Sequence, residues 1–159
     1  MGLLQPHGRS RGARRKARLS RRRIIIHSLA QARAALAAAA ERGVPVTLES
    51  APAAGGYAGP GWWKSLIAAA QAEHPAANVT AVLDCGEEPG SALAALRAGV
   101  PRIRFTGAAE TRTRLAAIAA QLGAAVEDAA LEENVLDLLD ARDPLALSRR
   151  FLAKNEEGA

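Results

Sequence analysis

The residues best placed for chemistry are Asp84 and Cys85, which follow the apolar run Ala81-Val82-Leu83 and precede Gly86. An apolar run that stops at a glycine is typical of a buried strand ending in a turn. In strand–helix repeats, ligands bind at the carboxyl ends of the strands. The sequence therefore indicates that Asp84 could act as a general acid/base, and that Cys85 could act as a reactive thiol or a metal ligand.

Both residues also have structural interpretations. An aspartate two residues before a glycine is typical of a carboxylate that caps its own turn. A single buried cysteine often serves as a small apolar filler in a protein core. Ser50, which ends an earlier apolar run, could line the mouth of a site or cap the loop that follows it.

These residues lie in a chain that alternates short β-branched runs with alanine-rich helical segments. Strands are predicted over residues 23–27, 44–50, 78–84, 101–106 and 124–127. Helices are predicted over residues 29–42, 61–74, 89–98 and 111–122, in a segment marked by Leu131, Val135, Leu138 and Leu139, and from Asp143-Pro144 to Leu152. This alternation predicts an α/β fold of repeated βα units, with a mostly parallel sheet and right-handed crossovers.

The composition fits one globular domain. The chain has 159 residues, of which 49% are apolar, and this is enough for a single core. The single cysteine excludes an internal disulfide and fits a reducing compartment, so a cytoplasmic location is expected. No apolar run approaches the length of a membrane span and no secretory signal is visible, so no membrane partner is expected.

Positive charge is concentrated at the amino terminus. Nine of the 21 Lys and Arg residues precede Ile24, which leaves 12 against 16 acids and a charge of about −4 for the remainder. The nine are Arg9, Arg11, Arg14, Arg15, Lys16, Arg18, Arg21, Arg22 and Arg23. The predicted organisation is a basic disordered tail over 1–23, a βα domain over 24–153 and a flexible carboxyl terminus over 154–159.

The basic tail has three interpretations. It could be a disordered extension, including one that arises from an upstream start codon. It could bind nucleic acid non-specifically, because an arginine-rich arm neutralises phosphates without needing a fold. It could also be an arginine-rich targeting peptide. No aromatic residue interleaves the arginines, so stacking on bases is not expected.

Several short motifs occur in an order that matches a known family. They are Ile26-His27-Ser28-Leu29, residues 44–50 followed by Gly56-Tyr57-Ala58-Gly59, residues 80–86, residues 122–127 and Arg142-Asp143-Pro144. In these motifs, from about residue 24 to 153, the chain resembles the class II, metal-dependent ketose-bisphosphate aldolases. The resemblance implies the first half of a TIM barrel.

The resemblance implies roles for individual residues, and the departures from it are as informative. Asp84 matches the catalytic acid/base of the family, whereas Cys85 stands where the family has a zinc-binding histidine. Ala129 replaces a metal-associated glutamate, and Thr106-Gly107-Ala108 replaces an Asp-Gly-Ser motif. The remaining histidine ligands and the phosphate-binding loops of the family belong to the second half of the barrel.

A catalytic zinc site needs three protein ligands and an open position. His27 is the histidine predicted at the carboxyl end of a strand, so Cys85 and His27 provide two ligands at most. A Schiff-base mechanism is excluded as well, because the three lysines lie in the tail or on helices, at Lys16, Lys64 and Lys154.

The expected function is therefore that of a degenerate, truncated aldolase relative that acts as a non-catalytic binding or interaction module without a resident cofactor. A residual site for a sugar phosphate or another anion would use His27, Ser50, Asp84 and Cys85. The first alternative is a metal-dependent aldehyde-lyase with a site completed by oligomerisation, in which Asp84 is the acid/base and Cys85 and His27 bind zinc. The second alternative is nucleic-acid binding through the tail.

The predicted sheet also has consequences for assembly. Five parallel strands do not close an eight-stranded barrel, so open edges and an uncovered face are expected. Parallel sheets need cover on both faces. We therefore expect either self-association or the last two helices folding over the open side.

Overall fold

The described part of the chain forms six short strands and six helices. A computed structural model describes residues 22–128 and 134–154. The strands are β1 (Arg23–Ile26), β2 (Val46–Ser50), β3 (Val79–Asp84), β4 (Arg102–Arg104), β5 (Ala125–Glu127) and β6 (Val135–Asp137). The helices are α1 (Leu29–Arg42), α2 (Ala54–Tyr57), α3 (Pro60–Glu73), α4 (Pro89–Arg97), α5 (Ala109–Gln121) and α6 (Pro144–Ala153).

All six strands form one parallel sheet in the order β5-β4-β3-β2-β1-β6. The first five strands are neighbours in sequence order, as in consecutive βα units, and the last strand pairs with the first. This confirms the predicted α/β fold, and the arrangement is that of part of a TIM barrel. Because every strand runs in the same direction, all their carboxyl ends lie at one edge of the sheet, which we call the carboxyl edge.

One face of the sheet packs against the helices. Side chains alternate between the two faces of a strand, and Ile24, Ile26, Leu48, Leu83 and Ile103 fall on the helix-covered face, each fully buried. Alanines of α1 and α4 pack against them and allow the helices to approach closely. The core therefore lies between sheet and helices, and it is filled mainly by aliphatic side chains because aromatic residues make up only 3% of the chain.

The other face of the sheet is concave. Arg23 on β1 contacts Glu127 on β5 at 2.8 Å, although three strands lie between them. In a flat sheet, strands four positions apart are about 19 Å from each other. Only a strongly curved sheet brings these two side chains together.

Local sequence signals explain the ends of the helices. Ser28 caps α1 by accepting a hydrogen bond from the amide of Gln31, and Gly43 ends that helix with φ 63°. Asp143 caps α6 in the same way, through the amide of Ala146, and Pro144 occupies the first helical position.

The prediction of a helix through Val135 and Leu138 is wrong. Val135, Leu136 and Asp137 form β6, in register with Arg23, Ile24 and Ile25 of β1. The apolar spacing of this segment fits a helix, but parallel pairing with a buried strand decides its structure. Leu131, the first residue of the predicted helix, lies outside the described residues.

The segment 51–60, between the second predicted strand and the second predicted helix, contains the short helix α2. Two further expectations differ from the structure. Arg22 and Arg23, assigned to the tail, are buried at the start of β1, and tail residues 1–21 lie outside the described part of the chain. The final helix α6 packs beside α1, and the guanidinium of Arg22 donates to the carbonyl oxygen of Leu152 at 2.6 Å. It therefore belongs to the helical layer and does not cover the open side of the sheet.

Two adjacent tryptophans divide between core and surface. Trp63 is buried in the core, whereas Trp62 is exposed at the start of α3. Among the helices that the structure describes, none combines the length and apolar character needed to cross a membrane.

Ser148 provides a test of the contact between α6 and α1. Its hydroxyl is fully buried and has no hydrogen-bond partner among the described residues. Ser148→Ala should raise the free energy of unfolding by about 1 kcal/mol, because it removes an unsatisfied polar group and favours the helix. Ser28→Ala is the matched control and should lower it by about 1 kcal/mol, because Ser28 caps α1. Urea unfolding of both variants measures the difference, and a loss of stability in Ser148→Ala would contradict this packing.

Candidate functional site

Asp84 lies at the carboxyl edge, where it ties two loops together. Its Oδ1 accepts a hydrogen bond from the amide of Ala53 at 2.9 Å and from that of Gly86 at 2.7 Å. Ala53 and Gly86 both have a positive φ, at 59° and 57°. This conformation is unfavourable for an alanine, and the hydrogen bond to Asp84 helps to hold it. Asp84 is 8% exposed as a residue, and its carboxylate caps the turn after β3.

Ser50 is joined directly to this turn. Its Oγ accepts a hydrogen bond from the amide of Asp84 at 2.9 Å and donates one to the carbonyl oxygen of Ala51 at 3.1 Å. The structure therefore brings Ser50 and Asp84 together, as the sequence predicts for a site. Their contacts hold the ends of β2 and β3 in place.

Cys85 points away from the carboxylate and into the protein. The residue is 1% exposed, and its Sγ lies so close to Gly55 of α2 that a Cβ on this glycine would be 2.8 Å away. Burial, with a smaller contribution from the charge of Asp84, raises the pKa of the Cys85 thiol to about 12. The thiol stays protonated at neutral pH, whereas nucleophilic attack and metal binding both require the thiolate.

The raised pKa of Cys85 predicts both low reactivity and a pH effect on stability. A thiol reagent such as DTNB should modify the native protein only through rare opening, and the rate should rise steeply in denaturant. Above pH 9 the thiol ionises in the unfolded chain but not in the folded one, so stability falls as pH rises from about 9 to 12. Cys85→Ser should remove this part of the alkaline loss in urea titrations. Fast stoichiometric labelling of the native protein at pH 8 would contradict the burial.

His27 lies at the end of β1 but has a different partner. Its Nε2 is 2.7 Å from Oδ1 of Asp137 on β6. The same oxygen also accepts a hydrogen bond from the amide of Leu139. The strand order places β2 between the ends of β1 and β3, so the α-carbons of His27 and Asp84 are about 10 Å apart. His27 thus joins β1 to β6 and is not part of the cluster formed by Ser50 and Asp84.

The donor set does not fit the zinc ion that the family resemblance implies. No group of three His, Cys, Asp or Glu side chains within the described residues could hold a metal ion. The Cys85 thiol is enclosed by α2, and the Nε2 of His27 is engaged with Asp137. The lysines in the described chain are also away from strand ends, since Lys64 lies in α3 and Lys154 follows α6.

Comparison with solved structures identifies the architecture. Matching chains include the crystal structure of a Coccidioides immitis protein that carries the provisional name fructose-1,6-biphosphate aldolase, with a TM-score of 0.59 and 19% identity. The chain has an aldolase-like fold. The match covers 73% of this chain and 48% of that protein, so the chain spans about half the length of the protein it matches. No protein-family model matches the sequence. The search of curated proteins also gives no match.

The aldolase-like fold also contains a charged cluster that the sequence analysis missed. Arg23, Glu49, Arg104 and Glu127 come from four strands and meet on the concave face. A signal was present in the sequence, because charged residues alternate with apolar ones inside strands, as in Arg102-Ile103-Arg104. In a strand with one face on the core, the charged residues of such a pattern are normally expected to face solvent.

The carboxyl edge is itself acidic. Besides Asp84, the ends of the strands and the loops that follow carry exposed carboxylates, namely Glu87, Glu88, Asp128, Asp137, Asp140 and Asp143. Arg142 is the one Lys or Arg in these loops within the described chain. Several of the acids lie where helices begin, and negative charge is stabilised there by the helix dipole. The resulting field repels phosphate groups and attracts cations.

Proposed function

We propose that this chain is a degenerate relative of the class II aldolases that keeps the fold and acts as a non-catalytic interaction module. The observation that carries the proposal is the structural role of the Asp84 carboxylate. The residue that matches the family acid/base holds two backbone amides, and its neighbour Cys85 is packed beneath α2. Asp84 thus holds two loops in place, and Cys85 fills space in the core.

Aldol cleavage of fructose 1,6-bisphosphate tests the absence of catalysis. Full-length protein should give no turnover above buffer, with or without added zinc. Asp84→Asn should give the same result as the unchanged chain, because the carboxylate has no chemical role in the proposal. Turnover that depends on Asp84 would support the alternative, a lyase with a site completed by oligomerisation.

The acidic carboxyl edge also bears on the sugar-phosphate site expected from the resemblance. Phosphate groups would meet the negative field of Glu87, Glu88 and Asp128 there, and no lysine lies at a strand end of the described chain. Titration with fructose 1,6-bisphosphate and with inorganic phosphate should leave the melting temperature unchanged. A saturable rise in melting temperature with the sugar phosphate, but not with inorganic phosphate, would instead support the residual sugar-phosphate site.

A second copy of this chain is the partner we propose for the module. Within the described residues, β5 pairs with β4 alone and β6 with β1 alone, so each leaves an unpaired outer edge. Exposed leucines flank both edges, because Leu122 precedes β5 and Leu139 follows β6. Unpaired strand edges with adjacent apolar side chains favour association.

Light scattering coupled to size-exclusion chromatography tests this association. The double substitution Leu122→Ser and Leu139→Ser should shift the protein toward monomer. Tyr57→Ser is the matched control, since Tyr57 is 71% exposed but lies away from both edges. A protein that is monomeric at all concentrations, or that dissociates equally with Tyr57→Ser, would rule out these edges as the interface.

A further inference from the structure

We infer that Arg23, Glu49, Arg104 and Glu127 form an electrostatic closure that fixes the curvature of the open sheet. The four residues, called the charge ring from here on, lie on β1, β2, β4 and β5. Two of their contacts, Arg23 with Glu127 and Arg104 with Glu49, connect strands that share no backbone hydrogen bonds. The proposal concerns a conformational device of the fold and is independent of the proposed function.

The contacts within the charge ring are continuous. Arg23 donates to Glu49 at 3.0 Å and to Glu127 at 2.8 Å. Arg104 donates to Glu49 through its Nε and to Glu127 through a second nitrogen at 3.4 Å. Each guanidinium therefore contacts both carboxylates, and Glu127 also accepts a hydrogen bond from the more exposed Arg102 at 3.3 Å. Planar, forked donors suit this arrangement, whereas a lysine would offer a point charge.

The charge ring is also largely removed from water. The side chains of Arg23, Glu49 and Arg104 are 9%, 3% and 4% exposed, and that of Glu127 is 22% exposed. Burial acts to lower the pKa of Arg23, but the charges and hydrogen bonds of Glu49 and Glu127 outweigh it, and the pKa is raised. A buried charge that loses its partner is strongly unfavourable, so the ring forms and breaks as a unit.

The connection between charge and curvature follows from the topology. Backbone hydrogen bonds link neighbouring strands and leave the angle between distant strands free to vary. The contact between Arg23 and Glu127 spans β2, β3 and β4, and it exists only while β1 and β5 face each other across the concave side. If the sheet flattens, Arg23 and Glu127 separate and their contact is lost. The ring therefore opposes flattening, as the continuous ladder of a closed barrel does.

A distance measurement combined with a double-mutant cycle tests the inference. In a Cys85→Ser background, spin labels at Ala30→Cys on α1 and Gln121→Cys on α5 report the separation between the two sides of the sheet. Arg23→Met and Glu127→Gln should each lengthen and broaden this distance. Each should also shift the unfolding equilibrium by about 100-fold or more, with the double variant less affected than the product of the two.

The control uses an ion pair with the same chemistry on the surface. Arg149 and Glu41 join α6 to α1 through a two-bond contact at 2.8 and 2.9 Å. Glu41→Gln should leave the distance between the labels unchanged. If Arg23→Met does not fold, Arg23→Lys retains the charge and should give a smaller change in the same direction. A distance that stays constant in the folded Arg23 and Glu127 variants, even with reduced stability, would overturn the closure role.

Discussion

Replacing Glu49 with glutamine should lower the free energy of unfolding by about 3–5 kcal/mol, because the change leaves two buried guanidinium groups with Glu127 as their one shared carboxylate. Glu49 accepts hydrogen bonds from both Arg23 and Arg104, and its side chain is 3% exposed. Glutamine keeps the shape and one acceptor oxygen, so the variant isolates the effect of the charge. Urea unfolding followed by circular dichroism measures the loss.

Glu41→Gln provides the comparison for this prediction. Its ion pair with Arg149 has similar distances, but both side chains are about half exposed. Water solvates the remaining arginine, so the substitution should leave stability unchanged within error. Equal effects at positions 41 and 49 would mean that the charge ring gains nothing from its burial, and that the concave face is wetter than the structure indicates.

The elements that follow local signals could be predicted from the sequence. Runs such as Ile24-Ile25-Ile26 fill a buried strand, and Gly43 ends α1 in the left-handed conformation that favours glycine. The strand β6 could not be predicted in this way, because three residues carry too little pattern. Its identity depends on pairing with β1, which lies about 110 residues earlier in the chain.

The site shows the same division between local and long-range information. Asp84 and Ser50 follow neighbouring strands and were expected to meet, and they do so through the amide of Asp84. Cys85 comes next in the chain but points to the opposite face, where it packs against Gly55. Residues that are adjacent in sequence at the end of a strand therefore do not share a site, because successive side chains point to opposite faces of the sheet.

The charge ring depends on curvature, which no local pattern specifies. Arg104 and Glu127 are register partners on adjacent strands, so their approach follows from the pairing of β4 with β5. The approach of Arg23 to Glu127 follows only from the bending of the whole sheet. A strand carrying alternate charges can thus belong to a solvated face or to a closed polar interior, and the sequence alone does not distinguish them.

Restoring the family histidine with Cys85→His should destabilise the protein and should not create a zinc site. The imidazole is larger than the thiol, and the thiol already lies close to Gly55. Even a Cβ added to Gly55 would be only 2.8 Å from the Sγ of Cys85. Overpacking of this kind costs about 1–3 kcal/mol. Burial of ring nitrogens without hydrogen-bond partners would add to the loss. Urea unfolding with and without equimolar zinc measures both effects.

Zinc should not recover the stability of the Cys85→His variant, because a metal stabilises only a folded state that can bind it. Within the described chain, no third ligand lies near enough to complete a site with position 85 and His27. Cys85→Ala is the matched control, since it relieves the crowding of the thiol against Gly55 and introduces no ring nitrogens. If zinc raises the stability of Cys85→His, or if the unchanged protein binds one zinc ion that Cys85→Ser loses, the enclosed thiol is a metal ligand and the non-catalytic proposal is wrong.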